Sequence, residues 1–263
     1  MKPIEKMPKA VKKAIRYVLA DIDDTLTFEG CLPAVVFAAM EDLKKAGIYV
    51  IPITGRPAGW CDHIARMWPV DGVVGENGAL YFYYDVERRK MRRRYFIPEE
   101  QRRAHRKKLE KLKMQILDKI PGCRVSADQR YREADLAIDY CEDVPPLSMD
   151  DVDRIVRLFE AAGARAKVSS IHVNGWFGEY DKLTMTRLLF AEVFKDDLEA
   201  VKENAIFIGD SPNDIPMFQF FPHSVGVANI LEFKEQITHK PAWVTQQQGG
   251  YGFAEMVELI LAK

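Results

Sequence analysis

Four cysteines in 263 residues, at positions 31, 61, 123 and 141 with no CxxC pair among them, speak against a disulfide framework and a zinc knuckle. Long apolar runs are missing as well. The longest, Ala34 to Met40, has seven residues, far short of the ~20 that a membrane-spanning helix needs. The opening stretch MKPIEKMPKAVKKAIRYVLAD is basic but has no apolar segment of signal-peptide length and no small-residue cleavage site. A cytoplasmic chain with reduced thiols is expected. Net charge is also scarce: 38 basic residues against 39 acidic ones leave −1. No global field therefore holds the chain on a membrane or on nucleic acid, and any charged partner must be held locally. With 48% hydrophobic and 29% charged residues, the composition is that of a globular chain able to bury one large core or two modest ones.

What is present is an alternation of short apolar strands and amphipathic helices. Arg16 to Ala20 predicts a buried strand that ends in DIDDT. Pro33 to Ala46 predicts a helix, with Val36, Ala39, Met40 and Leu43 on one face and Gly47 placed as a left-handed stop. Ile48 to Ile53 predicts a second strand, ending in TGRP, followed by a helix over 58–67, a strand over 72–74 and a hairpin-like segment over 79–84. The rhythm returns late, with a helix over 183–193, strands over 205–208, 224–227 and 242–244, and a helix over 252–261. This is the pattern of an α/β chain with a doubly wound, Rossmann-like parallel sheet, built from residues 1–84 and 179–263. Between them, 85–178 reads as strand, long charged helix, strand over 134–140, helix over 149–162 and strand over 166–173. An inserted α+β cap domain is expected, sized to fold independently and placed to act as a lid.

In a doubly wound sheet, ligands bind beyond the carboxyl ends of the strands. Four such tips carry polar residues: Asp21, Asp23 and Thr25; Thr54, Gly55 and Arg56; Glu76 and Asn77; and Asp210, Asn213 and Asp214. So many carboxylates at one point are costly unless a cation neutralises them, and an all-oxygen donor set of this kind favours Mg²⁺. Lys182, at the start of a core helix, is placed to balance a nucleophilic carboxylate and a phosphate.

In this order, DIDDT, a Thr after the second strand, a Lys after the insertion and GDSPND resemble the haloacid dehalogenase superfamily of phosphohydrolases. By average residue frequencies, GDxxND alone arises by chance in only about one chain in several hundred of this length. The insertion and the ENGA segment before it are similar to the subgroup that includes Cof-type sugar phosphatases and sucrose- and trehalose-phosphate phosphatases. The resemblance implies that Asp21 is the nucleophile and Asp23 the general acid/base. It further implies that Thr54 hydrogen-bonds the phosphoryl group and that Lys182 holds nucleophile and phosphate. Asp210 would ligate Mg²⁺ with Asp214 in support and with the backbone carbonyl of Asp23 as a further ligand. The remaining tip residues Thr25, Gly55, Arg56, Asn77 and Asn213 are expected around the phosphate. The implied activity is hydrolysis of a small, sugar-like phosphomonoester. A phosphomutase on the same fold and a non-catalytic polyanion binder are the alternatives.

Two positions depart from the family pattern. Asp24 stands where relatives often carry Gly, and EYDKLTM lacks the usual Gly after its Lys. Lys167 competes with Lys182 for the same role, but its place in the last strands of the insertion makes it the poorer candidate. Substrate selection is expected to fall to the cap, on Arg130, Arg132, Glu133, His172, Asn174 and Trp176. From Arg88 to Lys113 the chain has thirteen basic and three acidic residues. A solvated face is the expected reading, because aromatic interleaving is limited to Tyr95 and Phe96 and no RNA-binding motif accompanies the run.

Overall fold

In the computed structural model, which describes residues 1–169 and 171–262, six parallel strands form the central sheet. Their order across it is Lys2–Pro3, Trp243–Val244, His223–Gly226, Ala205–Gly209, Tyr17–Ala20 and Tyr49–Pro52. Every residue of Tyr17–Ala20 is buried, and the two-residue period sends Val18 and Ala20 into one apolar layer and Tyr17 and Leu19 into the other. Helices Ala34–Lys45, Ala58–Met67 and Gly249–Leu261 cover the first layer; Lys182–Leu189 and Ile215–Phe220 cover the second. The expected doubly wound core is therefore present. In Ala34–Lys45 the buried residues are Val36, Ala39, Met40 and Leu43, and Gly47 follows at φ 76°.

Val73–Gly75, Leu80–Asp85 and Lys90–Tyr95 form a separate antiparallel sheet, tied to the central one by a parallel bridge between Ile53 and Val74. The strand that composition assigns to the start of the insertion thus pairs with the segment before it. The rest of the insertion forms a four-stranded antiparallel sheet in the order Arg124–Val125, Asp135–Asp139, His172–Trp176 and Arg165–Val168. Helices Glu99–Lys119 and Met149–Ala161 cover it, so that Leu109, Leu112, Ile116, Ile155 and Phe159 close an apolar core against Leu136, Ile138 and Val173.

One expected element is corrected. The single strand over 166–173 is instead a hairpin, because Ser169 turns the chain: its N–H donates to the His172 carbonyl at 2.8 Å and its Oγ accepts the His172 N–H at 3.0 Å. Ser170, inside that expected strand, lies outside the described residues. The basic run has local partners: Arg88 pairs with Asp85, Arg93 with Asp62, Arg94 with Glu192, Arg103 with Glu99 and Lys113 with Glu110. Among the described residues no helix is long and apolar enough to cross a membrane.

Candidate active site

Asp21 follows the central strand directly. Its N–H donates to the Ile208 carbonyl at 3.0 Å, which extends the ladder by one residue and sets the side chain over the sheet end. Asp210 leaves the neighbouring strand, and Asp214 returns from the turn that follows. The three carboxyls are buried and offer oxygens that all lie within 4.8 Å of one another. Backbone packing makes this possible: a Cβ on Gly209 would strike the Asp214 carboxylate, whose Oδ2 accepts the Asp210 N–H at 3.2 Å. Thr25 Oγ1 donates to Asp210 Oδ1 at 3.1 Å.

Lys182 Nζ donates to Asp21 Oδ1 at 2.6 Å and to Asp214 Oδ1 at 3.1 Å. Its helix starts at the site because the Asp181 side chain caps it, accepting the Thr184 N–H at 2.7 Å. The ENGA segment packs directly on that start. Gly78 sits at φ 102°, and a Cβ there would collide with the Asp181 carbonyl. Only glycine combines that conformation with that contact.

Burial foremost pushes Asp21 up to about 7, with Asp214 and Asp23 adding to the rise and Lys182 opposing it. Burial, then Asp214 and Asp21, hold Asp210 well above the usual carboxylate range. Burial works against the Lys182 ammonium, yet Asp21 and Asp214 keep its pKa above that of an ordinary lysine. Three buried carboxyls therefore face the Lys182 ammonium, with that of Lys167 nearby. The donor atoms are hard oxygens and the uncompensated charge is negative, so the residues fit Mg²⁺.

Asp23 stands apart from this triad. Arg56 holds its carboxylate, with Nε 2.9 Å from Oδ1 and Nη2 2.7 Å from the same oxygen. Thr54 is fully buried; its hydroxyl accepts the Arg56 N–H at 3.0 Å and its carbonyl accepts the Asn77 N–H at 3.1 Å. A Cβ on Gly55 would lie 3.2 Å from the Asn77 amide, so glycine lets that side chain approach. Asp21, Asp23, Gly55, Arg56, Asn77 and Asp210 line the floor of a cavity that the cap roofs with His172 and Asn174. Asn213 lines its edge, and its Oδ1 is buried with no hydrogen-bond partner among the described residues. Asp24 has φ 57°, a left-handed backbone that explains why glycine suits this position.

Several expected placements are corrected. Glu76, a tip residue expected to face the carboxylate cluster, is turned away from it and fully buried. Its Oε1 accepts N–H groups from Ala58 and Glu133 at 2.8 Å each, and its Oε2 accepts that of Ala134 at 2.7 Å. Burial and then Asp135 push this carboxyl up to about 7. Glu76 joins core to cap. Arg132 lines the cavity as expected of a residue placed near substrate, and it also ties core to cap: Nη1 donates to the Gly55 carbonyl at 2.9 Å and to Asp135, and Nε and Nη2 bind Asp128 at 2.9 and 3.0 Å. Its donors are engaged within the protein. Arg130 is exposed, stacked 4.8 Å from the Tyr131 ring and outside the cavity. Glu133 pairs with Arg106 at 3.2 Å, and Trp176 stacks on Tyr180 at 5.8 Å.

His172 and Asn174 also line the cavity. His172 Nε2 lies 2.8 Å from Glu142, and Asn174 Nδ2 donates to Asp135 at 3.0 Å. Lys167, set aside on sequence grounds, reaches the core and donates to the Asn213 carbonyl at 2.6 Å. Burial and then Lys182 lower its pKa to about 8. Its cross-strand partner is Asn174, and that shared face was the signal available in a strand pairing. Removing Arg132 tests the junction. Arg132→Ala strands Asp128 and Asp135 and is expected to cost about 3–5 kcal/mol of stability, read as a lowered Tm. Any loss of turnover should be similar for every ester tested; a loss confined to one substrate would return Arg132 to substrate binding.

Residues 18–131 and 146–255 match the sequence model of haloacid dehalogenase-like hydrolases. Among curated proteins no match is found. A crystal structure from Thermoplasma acidophilum is 21% identical with a TM-score of 0.72, over 93% of this chain and 99% of that one. The sucrose-phosphatase of Synechocystis, solved with sucrose and phosphate, is 14% identical with a TM-score of 0.64, over 93% of this chain and 97% of that one. A trehalose-6-phosphate phosphatase related protein is 14% identical with a TM-score of 0.62, over 93% of this chain and 95% of that one. These likenesses concern the fold.

Proposed function

The chain belongs to the haloacid dehalogenase-like hydrolase family, and from that premise we propose that it is a Mg²⁺-dependent phosphomonoester hydrolase acting on a small, sugar-like phosphate through an aspartyl-phosphate intermediate. The observation that carries this reading is the buried Asp21 carboxyl, held at 2.6 Å by Lys182 beside Asp210 and Asp214. Asp21 Oδ attacks phosphorus, the bond from phosphorus to the leaving oxygen breaks, and Asp23 gives that oxygen a proton. Water then attacks the phosphoryl group, the bond to Asp21 breaks, and Asp23 takes the proton back. Lys182, the Thr54 hydroxyl and the Asn77 amide supply donors to the equatorial oxygens. Asp21, Asp210 and the backbone carbonyl of Asp23 would hold the metal, with Asp214 behind them. When bound, Mg²⁺ supplies the positive charge that lets a phosphate dianion approach this acidic site.

Residues 1–84 and 179–263 act as the catalytic core in this reading, and 85–178 as the cap. The apolar cluster that runs from Leu109 to Phe177 supports a cap with its own core. His172 and Asn174 suit a hydroxyl-rich substrate, and two structural neighbours are named for sugar phosphates. The four free cysteines fit a reducing, cytoplasmic setting. Hydrolysis of p-nitrophenyl phosphate with Mg²⁺, and its fall to background on adding EDTA, is the expected result. Undiminished turnover in EDTA sinks the metal assignment, and no turnover on a broad panel of phosphate esters sinks the hydrolase reading.

A further inference from the structure

A second pocket opens beside the Asp23–Arg56 pair, with a volume of about 460 Å³ against about 30 Å³ in the cavity over Asp21. Asp23 and Arg56 line both, so the pair is a partition between two compartments. The walls of the second are aromatic: Trp60 and Trp68 from the core and Tyr131 from the cap. Trp60 and Tyr131 keep 41% and 43% of their surface exposed. Single exposed aromatics need no explanation, but three rings around one cleft beside an acid/base do. The Arg56 guanidinium lies 4.6 Å from the Trp60 ring, so one side chain touches the aromatic wall and the Asp23 carboxylate together.

The wall from the cap is seated by a glycine. A Cβ on Gly59 would lie 2.9 Å from Tyr131 Cβ, closer than real side-chain contacts allow. Tyr131 closes the pocket because position 59 has no side chain. In the phosphatase reading Asp23 meets the leaving oxygen, and Asp23 lines both spaces. The pocket is therefore next to the atoms that follow that oxygen.

We propose that the pocket receives the ring of the substrate's leaving group, stacked on Trp60, while the phosphoryl group lies over Asp21. The shared chemistry is a flat ring face, which an aryl group and the C–H face of a pyranose both offer. The proposal rests on the phosphatase reading and deepens it by moving ring recognition from the cap roof to this core–cap cleft.

Two phosphate esters, one acyl phosphate and three variants test it. Trp60→Ala and Tyr131→Ala are expected to lower kcat/KM about tenfold or more for ring-bearing esters and less than about threefold for acetyl phosphate, which has no ring. Phenyl phosphate and glucose 6-phosphate are the ring-bearing pair, and whichever of them shows the selective loss identifies the aryl or the sugar source. Gly59→Ala adds one methyl within a helix, where Ala is favoured over Gly. It is expected to reproduce the selective loss by displacing Tyr131, with a lowered Tm, because Tyr131 Cβ can give way only with its backbone. Equal losses for all three substrates, or none, overturn the proposal. A second readout does not depend on turnover. Phenyl phosphate is expected to quench indole fluorescence saturably in Asp21→Asn, and to lose most of that quench when Trp60→Phe is added. A Trp60-dependent quench in Asp21→Asn, where the unmutated parent hydrolyses no phosphate substrate, supports the pocket and sinks the phosphatase reading; turnover by the parent with no such quench overturns the pocket alone.

Discussion

Asp21→Asn is expected to lower kcat by about ten-thousand-fold or more, the scale seen when a nucleophile that forms a covalent intermediate is removed. The amide keeps the volume of the carboxyl, and its oxygen still accepts from Lys182, so the fold has no reason to collapse. The variant should in fact be the more stable protein. Burial raises the Asp21 carboxyl to about 7 in the folded state, which means that its charge is disfavoured there relative to the unfolded chain. Such a group weakens the fold progressively as pH rises from its unfolded pKa of about 4 towards its folded one, and most fully above that. Asn carries no such penalty. In EDTA, the Tm of Asp21→Asn should therefore exceed that of the parent by more at pH 8 than at pH 5. Phosphoenzyme labelling should vanish together with turnover. Retained labelling would show that another side chain is the nucleophile, and a lower Tm at pH 8 would show that ionised Asp21 stabilises the fold.

Lys182→Met is expected to act in the opposite sense on stability. The Lys182 ammonium bridges Asp21 and Asp214 at 2.6 and 3.1 Å and lies beside Asp210 in the same buried cluster. Taking it away leaves three carboxyls without the ammonium that bonds two of them, and breaking a buried pair of this kind costs about 3–5 kcal/mol. In the proposed mechanism turnover should fall about a thousandfold or more, because the variant loses a charge-assisted donor to the phosphoryl group. Mg²⁺ should raise the Tm of this variant by more than that of the parent, since less positive charge is then left in the protein, that of Lys167, to offset the carboxyls. Differential scanning calorimetry with and without Mg²⁺ checks this. Equal metal-induced shifts in the two proteins would mean that Lys182 and the metal do not share a charge cluster.

The parts of this site that were legible in the sequence are those that the sheet itself dictates. A buried strand ending in acids must present Asp21 at its tip, and the glycine before Asp210 is required by the Asp214 carboxyl packed against it. Polar residues in the cap were not legible in the same way. Arg132 and Asn174 both lie in polar stretches of the insertion, yet the Arg132 guanidinium is engaged by Asp128, Asp135 and Gly55, whereas Asn174 borders the cavity with one donor on Asp135. Nothing in local periodicity separates a side chain that joins two domains from one that faces a ligand. Glu76 shows the same limit: a carboxyl at a strand tip turned instead to four backbone N–H groups, from Ala58, Glu133, Ala134 and Asp135. The hairpin at Ser169 was hidden because no glycine or proline punctuates it.

The pairing of Tyr17–Ala20 with Ala205–Gly209 has a consequence for the order in which a nascent chain gains structure. The strand that carries Asp21 emerges from the ribosome long before its neighbour, and until then one of its edges has no partner. The cap lies wholly between the two, and its apolar cluster draws on Leu109 to Phe177 alone, so it can condense while the central sheet is still incomplete. Closing that sheet then means joining distant segments, a slow step by topology, but with the intervening loop already shortened by a folded domain. The acidic triad can form only at that point, when Asp210 and Asp214 arrive beside Asp21.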